Sequence, residues 1–278
     1  MKFVILGLSV SSSWGNGHAT IWRGLIRELI SNGHKVTFFE KNVEYYESNR
    51  DLTYIDGMEL ILYDRWTDVE KIVRVQIKKA DIAIVTSYCP DAVLAARLLE
   101  TTCGVLKIFY DLDTPVTLEN MENNLWPAYI SDDGLRMFDC VLSYTGGNVL
   151  EKLRKNLGAV NVFPLYGCAD PSAHFPSDVI EIYKCDLSYM GTYASDRQKK
   201  LYELFIKPAD NVPQKKFIMA GAMYPDNLQL RQNISHFHHI VPSEHSSFYC
   251  SGKFTLNITR EAMAKNGFCP SGRLFEAA

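Results

Sequence analysis

Short apolar runs alternate along this chain with segments whose apolar positions repeat at helical spacing. Lys2 to Val10 is apolar almost throughout, the pattern of a strand covered on both faces. Ala19 to Ser31 repeats its apolar positions as an amphipathic helix and stops at Asn32-Gly33. The pattern predicts strands over Lys35 to Glu40, Ala80 to Ser87 and Leu106 to Tyr110, with a helix over Asp91 to Glu100 between the last two. Cys140 to Tyr144 and Val160 to Pro164 complete a first set of strands. Strand–helix–strand alternation of this kind implies an α/β fold, a parallel sheet with helices on both faces.

The pattern breaks at Gly167 to Ser177, which holds Pro171 and Pro176 and reads as a linker. It restarts with a strand over Asp186 to Met190, a helix over Asp196 to Pro208, and strands over Lys216 to Ala220, His238 to Val241 and Lys253 to Ile258. Two Rossmann-like domains follow from this, residues 1–170 and 171–278. Such domains facing across a cleft bind ligands at the C-terminal ends of their strands. The closing run Arg-Leu-Phe-Glu-Ala-Ala reads as the first turns of a helix, so the second domain is expected to be incomplete at its C-terminus.

Length agrees with this division, since 278 residues suit two domains. A hydrophobic share of 47% and a charged share of 22% suffice for ordinary globular cores. The net charge of −3 supplies no basic field for a polynucleotide backbone, so no nucleic-acid partner is expected. Trp14 and His18 stand where a signal peptide would need a small-residue cleavage site. No apolar run reaches the ~18 residues of a transmembrane segment. Seven cysteines, an odd number without a CxxC pair, suggest free thiols in a reducing, cytoplasmic setting.

Several segments carry candidate chemistry. Gly15-Asn16-Gly17-His18-Ala19-Thr20 lies between the first strand and the first helix and approximates the dinucleotide fingerprint, with Thr20 in place of the third glycine. Glu40, ending the second strand, stands where a ribose-binding acid would sit, so a nicotinamide cofactor is one reading. The longer Ser11-Ser12-Ser13-Trp14 loop argues against it. His18 is either a base facing the cleft or a structural residue of the helix start. Asp111 and Asp113, at a strand end before Pro115, suit a metal, a general base for an acceptor hydroxyl, or simply an Asx turn. Thr145-Gly146-Gly147-Asn148 permits a close backbone approach to an acceptor, or is a plain turn. Gly191 and Thr192, with Arg197, form a possible phosphate cradle, while Asp196 reads as a helix cap. His236, His238 and His239 cluster, but without an acid at ligand spacing. Asn257, Thr259 and Arg260 follow the last strand, and the loop Cys269-Pro270-Ser271-Gly272 opens a helix bearing Arg273 and Glu276. Backbone N–H groups there, with Arg260 and Arg273, suit a leaving diphosphate, and Glu276 suits two ribose hydroxyls.

These segments together resemble the CgeB-like (spore-maturation type) glycosyltransferases of the GT-B fold. The resemblance rests on Ser13 to Thr20 (SWGNGHAT), Phe109 to Leu118 (FYDLDTPVTL), Tyr189 to Gln198 (YMGTYASDRQ), Phe254 to Arg260 (FTLNITR) and Cys269 to Ala278 (CPSGRLFEAA). It implies an acceptor site in the N-terminal domain and a nucleotide-sugar donor site in the C-terminal one. Glu276 then resembles the ribose-binding glutamate, and Gly191, Arg197, Arg260, Ser271 and Arg273 the neighbours of the donor phosphates. The implied reaction moves a sugar from a nucleotide-diphosphate sugar to an acceptor hydroxyl of a glycan, protein or small molecule, with His18 or Asp113 as base. No metal and no cofactor are required. The chain departs from the family's retaining members, whose Glu-x7-Glu motif would place an acid where Phe268 stands. A sugar-nucleotide epimerase of the same fold and a non-catalytic sugar-nucleotide-binding remnant are the alternatives.

Overall fold

The computed structural model describes residues 1–225 and 228–278, which divide into two compact units. The first comprises Met1–Ser12, Leu25–Tyr166 and Lys265–Cys269; the second comprises Ser13–Gly24, Gly167–Ala264 and Pro270–Ala278.

The first unit carries a seven-stranded sheet, parallel throughout, in the order β3-β2-β1-β4-β5-β6-β7. Its strands are β1 (Lys2–Gly7), β2 (Lys35–Lys41), β3 (Met58–Tyr63), β4 (Ile82–Thr86), β5 (Leu106–Asp111), β6 (Cys140–Ser143) and β7 (Val162–Pro164). The intervening helices are α1 (Gly17–Ser31), whose residues up to Gly24 count with the second unit, a single turn α2 (Glu44–Glu47), α3 (Trp66–Ile77), α4 (Ala92–Glu100), α5 (Thr114–Glu122) and α6 (Val149–Leu157). Val4, Ile5 and Leu6 are successive and all buried, which only a sheet covered on both faces allows. The chain runs outward from β1 to β3, then returns to the other side of β1 as β4. The loops after β1 and β4 therefore leave in opposite directions and open a crevice at their carboxyl ends.

β3 and α3 are among the elements that the strand–helix reading above does not include. β3 is an edge strand whose Glu59 and Leu62 are exposed, and its apolar run, Leu60 to Tyr63, is short. α3 buries Trp66, Val69, Val73 and Ile77 at helical spacing against the main core, and its outer face mixes Asp68 and Lys71 with exposed Ile72 and Val75.

The second unit repeats the plan at smaller scale. Its sheet, in the order β10-β9-β8-β11, consists of β8 (Cys185–Met190), β9 (Phe217–Ala220), β10 (Ile234–Phe237) and β11 (Gly252–Leu256), again all parallel. All four residues of β9 are buried. Phe217 and Met219 join Tyr189 and Phe205 on one face, whereas Ile218 and Ala220 join Tyr183 and Phe248 on the other. Order again reverses, here between β8 and β11.

The helix expected over Asp196 to Pro208 is an interrupted helical run: α7 (Gln198–Leu201), a π-turn over Tyr202–Ile206, and α8 (Lys207–Asn211). Pro208 has no N–H to give and its ring crowds the carbonyl four residues back, so the turn before it widens. The strand expected over His238 to Val241 falls instead at β10. Past Phe237 the Ile240 carbonyl meets the His245 ring at 3.1 Å, and Pro242, which lacks a ladder donor, opens a 3-10 turn. The remaining helices are α9 (His245–Ser251), α10 (Glu261–Asn266), whose last two residues count with the first unit, and α11 (Gly272–Ala277). Among the described residues no helix is long and apolar enough to cross a membrane.

Candidate functional site

In the second unit the loops after β8 and β11 bring together residues far apart in sequence. The Arg273 guanidinium lies over the Tyr189 ring, 5.2 Å from its centroid, and its Nη1 donates to Asn257 Oδ1 at 2.8 Å. Ser271 Oγ donates to the same oxygen at 2.7 Å, so one amide of the post-β11 loop fixes both partners. Ser271 stands at the start of α11 yet makes no side-chain cap bond there. Gly191 leaves room for this arrangement: a Cβ at that position would lie 2.7 Å from Tyr189 Oη and 2.8 Å from Arg273 Nη2.

Arg197 donates through Nη2 to the Thr192 carbonyl, and its Nε has no partner. Burial, followed by the like charges of Arg273 and Arg260, pushes its pKa below the usual arginine value. Arg260 differs. Its Nε donates to both Asp196 oxygens, at 2.8 and 2.9 Å, and the Glu261 N–H completes the clasp at 2.7 Å. Burial acts to raise the Asp196 pKa, but the Glu261 N–H and the Arg260 charge outweigh it and hold the carboxyl below its ordinary value. Asp196 is thus the partner of Arg260, not the cap of its own helix. Among the described residues, neither Arg197 nor Arg273 forms an ion pair with a carboxylate.

Glu276, on α11, accepts from Tyr249 Oη at 3.2 Å and from Thr20 Oγ1 at 3.5 Å. Burial and then this carboxylate push the Tyr249 phenol far up. Thr20 sits in the first turns of α1, beside His18, whose backbone N–H donates to Asn16 Oδ1 at 3.2 Å. The Gly15–Thr20 segment thus belongs to the second unit, with Gly191, Arg197, Asn257, Arg273 and Glu276.

In the first unit Asp111 ends β5 fully buried. Its Oδ1 accepts the Asp113 N–H and the Thr117 hydroxyl, each at 3.1 Å, while Oδ2 has no partner. Burial pushes its carboxyl up to about 6. Asp113 precedes α5 without a side-chain cap bond and is half-buried, with the Tyr88 phenol bonded to it and pushed up by burial first and that carboxylate second. Thr145-Gly146-Gly147 forms a seat for the segment Lys265–Cys269. Thr145 Oγ1 and Gly146 N both donate to the Phe268 carbonyl, at 2.7 and 3.0 Å, and Asn266 Nδ2 donates to Thr145 Oγ1 and the Gly146 carbonyl, each at 3.2 Å. Gly147 takes φ +75° under the Phe268 ring.

Glu40 is fully engaged by its own loop. It accepts from Val10 N at 2.7 Å, Ser11 N at 3.0 Å and Ser11 Oγ at 2.6 Å, which leaves no carboxylate at the place a dinucleotide ribose would occupy. His236 Nε2 meets the Gly221 carbonyl at 3.1 Å, and the rings of His239 and Trp14 pack at 4.6 Å. Tyr189 and Tyr249 escape sequence reasoning, because buried aromatic residues on a strand and a helix look like core. His174, which lies against Glu276, carries no sequence signal at all.

Residues 197–278 match a family model described as glycosyl transferase-like. No curated protein matches by sequence. Among solved structures, an alpha-glucosyltransferase in complex with UDP and a 13-mer DNA containing an HMU base is 14% identical. That match has a TM-score of 0.57 and covers 92% of this chain and 71% of that one. A protein described as a UDP-N-acetylglucosamine 2-epimerase, from Listeria monocytogenes, is 13% identical with a TM-score of 0.54, over 91% of this chain and 73% of that one. A glycosyltransferase from Rickettsia africae is also 13% identical with a TM-score of 0.54, over 90% and 71%. These likenesses define the fold: the chain has the two Rossmann-like units of the GT-B class.

Proposed function

We propose that this chain is a glycosyltransferase that moves a sugar from a nucleotide-diphosphate sugar to an acceptor hydroxyl, of the CgeB-like (spore-maturation) type. The observation that carries this reading is the pair Arg197 and Arg273. Both guanidiniums lie near Gly191 and Tyr189 where the second sheet reverses its order, and among the described residues neither forms an ion pair with a carboxylate. A diphosphate is the ligand whose charge and size suit two such groups. It becomes the leaving group, and the arginines stabilise the charge that develops on it. Glu276 takes the ribose hydroxyls, with Tyr249 holding one of its oxygens. Asn257 and Ser271 set the Arg273 rotamer, and the Gly191 and Thr192 backbone lines the phosphates. Arg260, clasped by Asp196, contributes field more than direct contact.

The acceptor hydroxyl loses its proton to Asp113 or His18. Asp111 positions the loop that carries Asp113 through the 3.1 Å bond from the Asp113 N–H. No cofactor takes part and transfer needs no metal. The acceptor is a glycan, protein or small molecule, since a net charge of −3 does not favour DNA. Seven unbridged thiols suit a cytoplasmic site of action. The test is calorimetric titration with UDP, GDP and TDP, followed by turnover of the matching nucleotide sugar with candidate acceptors. One nucleoside diphosphate binds saturably and Arg273→Ala weakens it; binding of none, or of all equally in both proteins, refutes the donor site. The fold shared with an epimerase sustains a second reading. Epimerisation yields no new glycoside, so a glycoside product formed together with nucleoside diphosphate decides between the two.

A further inference from the structure

Beside Glu276 lie two imidazoles that the donor-site reading does not use. The His174 side chain is 3% exposed, and neither of its ring nitrogens has a hydrogen-bond partner. His245 places Nε2 3.1 Å from the Ile240 carbonyl, an acceptor only, so Nε2 carries the hydrogen and Nδ1 presents a lone pair, itself without a partner. The two rings stand 5.8 Å apart at a 35° tilt, and His174 Nε2 approaches Glu276 Oε1 only to 4.0 Å. One ligand atom from each of His174, His245 and Glu276 lies within 4.8 Å of the other two. Three buried or half-buried groups with lone pairs thus face one another without hydrogen-bonding together, a costly arrangement unless something joins them.

We propose that His174, His245 and Glu276 form a binding site for a zinc-class transition-metal ion, with two nitrogens, one carboxylate oxygen and a fourth position open to water. The donor set is that of a three-ligand zinc centre, and imidazole selects this class over magnesium or calcium. His245 already has the outer bond typical of a metal ligand, its second N–H held by a backbone carbonyl. Tyr249 Oη does the same for Glu276. The backbone is fixed as well. Asp170 accepts the His174 N–H at 2.7 Å, and Ser246 Oγ donates to the Ala173 carbonyl at 2.8 Å, which ties the neighbours of the two histidines together. Ligands at ~2.0–2.2 Å from a tetrahedral ion stand ~3.4 Å apart, so the triangle contracts by about 1.4 Å at its widest when the ion enters.

The site shares Glu276 with the proposed ribose contact, and in that respect it rests on the donor-site reading: metal and nucleotide compete. Titration of the full chain with Co2+, followed in the visible region, tests both statements. One ion per chain is expected, with the d–d bands of a tetrahedral nitrogen–oxygen site and no thiolate-to-cobalt charge transfer. Zn2+ displaces it, and UDP lowers the apparent Co2+ affinity. His174→Ala and Glu276→Gln, each checked for an unchanged melting transition, weaken Co2+ by more than about 100-fold, because even outer partners of metal ligands are worth 10–100-fold. A thiolate band, the lack of saturation, or equal affinity in wild type and a folded variant overturns the metal site. Co2+ binding without UDP binding in wild type removes the donor reading and leaves the metal site; UDP binding without Co2+ does the reverse.

Discussion

The crevices where the two sheets reverse order are alike in construction and opposite in their use of polar groups. In the first unit the chain itself meets most of these groups, the second oxygen of Asp111 excepted. Glu40 takes three donors from the loop after β1, Asp111 takes two from the loop it precedes, and Thr145 and Gly146 are occupied by Phe268. In the second unit the same position presents Arg197 and Arg273 bonded, among the described residues, to neutral oxygens. A polar group satisfied within the chain contributes to stability, whereas a charge left with neutral partners is available to a ligand. Position in the fold alone therefore does not identify a site; the partners already present decide.

Substitution tests this contrast most strongly at Glu40. Glu40→Ala strands three buried donors, each costing ~1–3 kcal/mol. Melting is expected to show a loss of about 3 kcal/mol or more, with nucleotide affinity unchanged in whatever fraction remains folded. A loss of nucleotide binding at unchanged stability would instead make Glu40 a ligand contact. Asp111 comes next. Its folded pKa of about 6 lies above the unfolded carboxylate value, so the folded state holds the proton longer. Its contribution is complete below about pH 4 and is lost as pH rises to about 6, an effect on the order of 2–3 kcal/mol. Melting curves from pH 4 to 7 show this fall in wild type, and Asp111→Asn removes it. A flat difference between the two proteins would mean that Asp111 ionises normally.

In the second unit the expected outcome inverts. Arg273→Ala weakens nucleoside diphosphate binding by ~1.5–3 kcal/mol, the worth of hydrogen bonds to a charged group, while stability stays within about 1 kcal/mol. Calorimetry and melting of the same sample check both halves, and a large melting shift would place Arg273 among the structural residues. The smallest effect is expected at Gly147→Ala, where a side chain at φ +75° under the Phe268 ring costs ~1–2 kcal/mol of stability and leaves nucleotide affinity intact.

The contrast also explains what was legible in the sequence. Strands buried on both faces, such as β1 and β9, announce themselves as continuous apolar runs, and a parallel sheet follows from their alternation with helices. Edge strand β3 and β10 did not: one has exposed positions, and the other ends at Phe237, before the apolar pair Ile240-Val241 that reads as strand but leads into the turn at Pro242. Candidate-site residues that sit beside glycines or at strand ends, such as Gly191, Asn257 and Arg273, were legible by type and place. The partnership of Arg260 with Asp196 was not, because 64 residues separate them and either alone reads as a phosphate contact or a cap. His174 lay deeper still, since a lone histidine in an irregular loop gives no sign that a second imidazole and a carboxylate will come to face it.

The seat formed by Thr145, Gly146 and Gly147 has a consequence in time. Its occupant, Phe268, lies 123 residues later in the chain. As the polypeptide leaves the ribosome, the β1–β7 sheet can assemble long before that strap exists. The loop to be closed is long, and closing it costs entropy that only the finished contacts return. The first unit therefore spends the synthesis of its successor with an open edge at the Gly146 carbonyl and N–H, a period when an intermediate is exposed to mispairing or to capture by a chaperone.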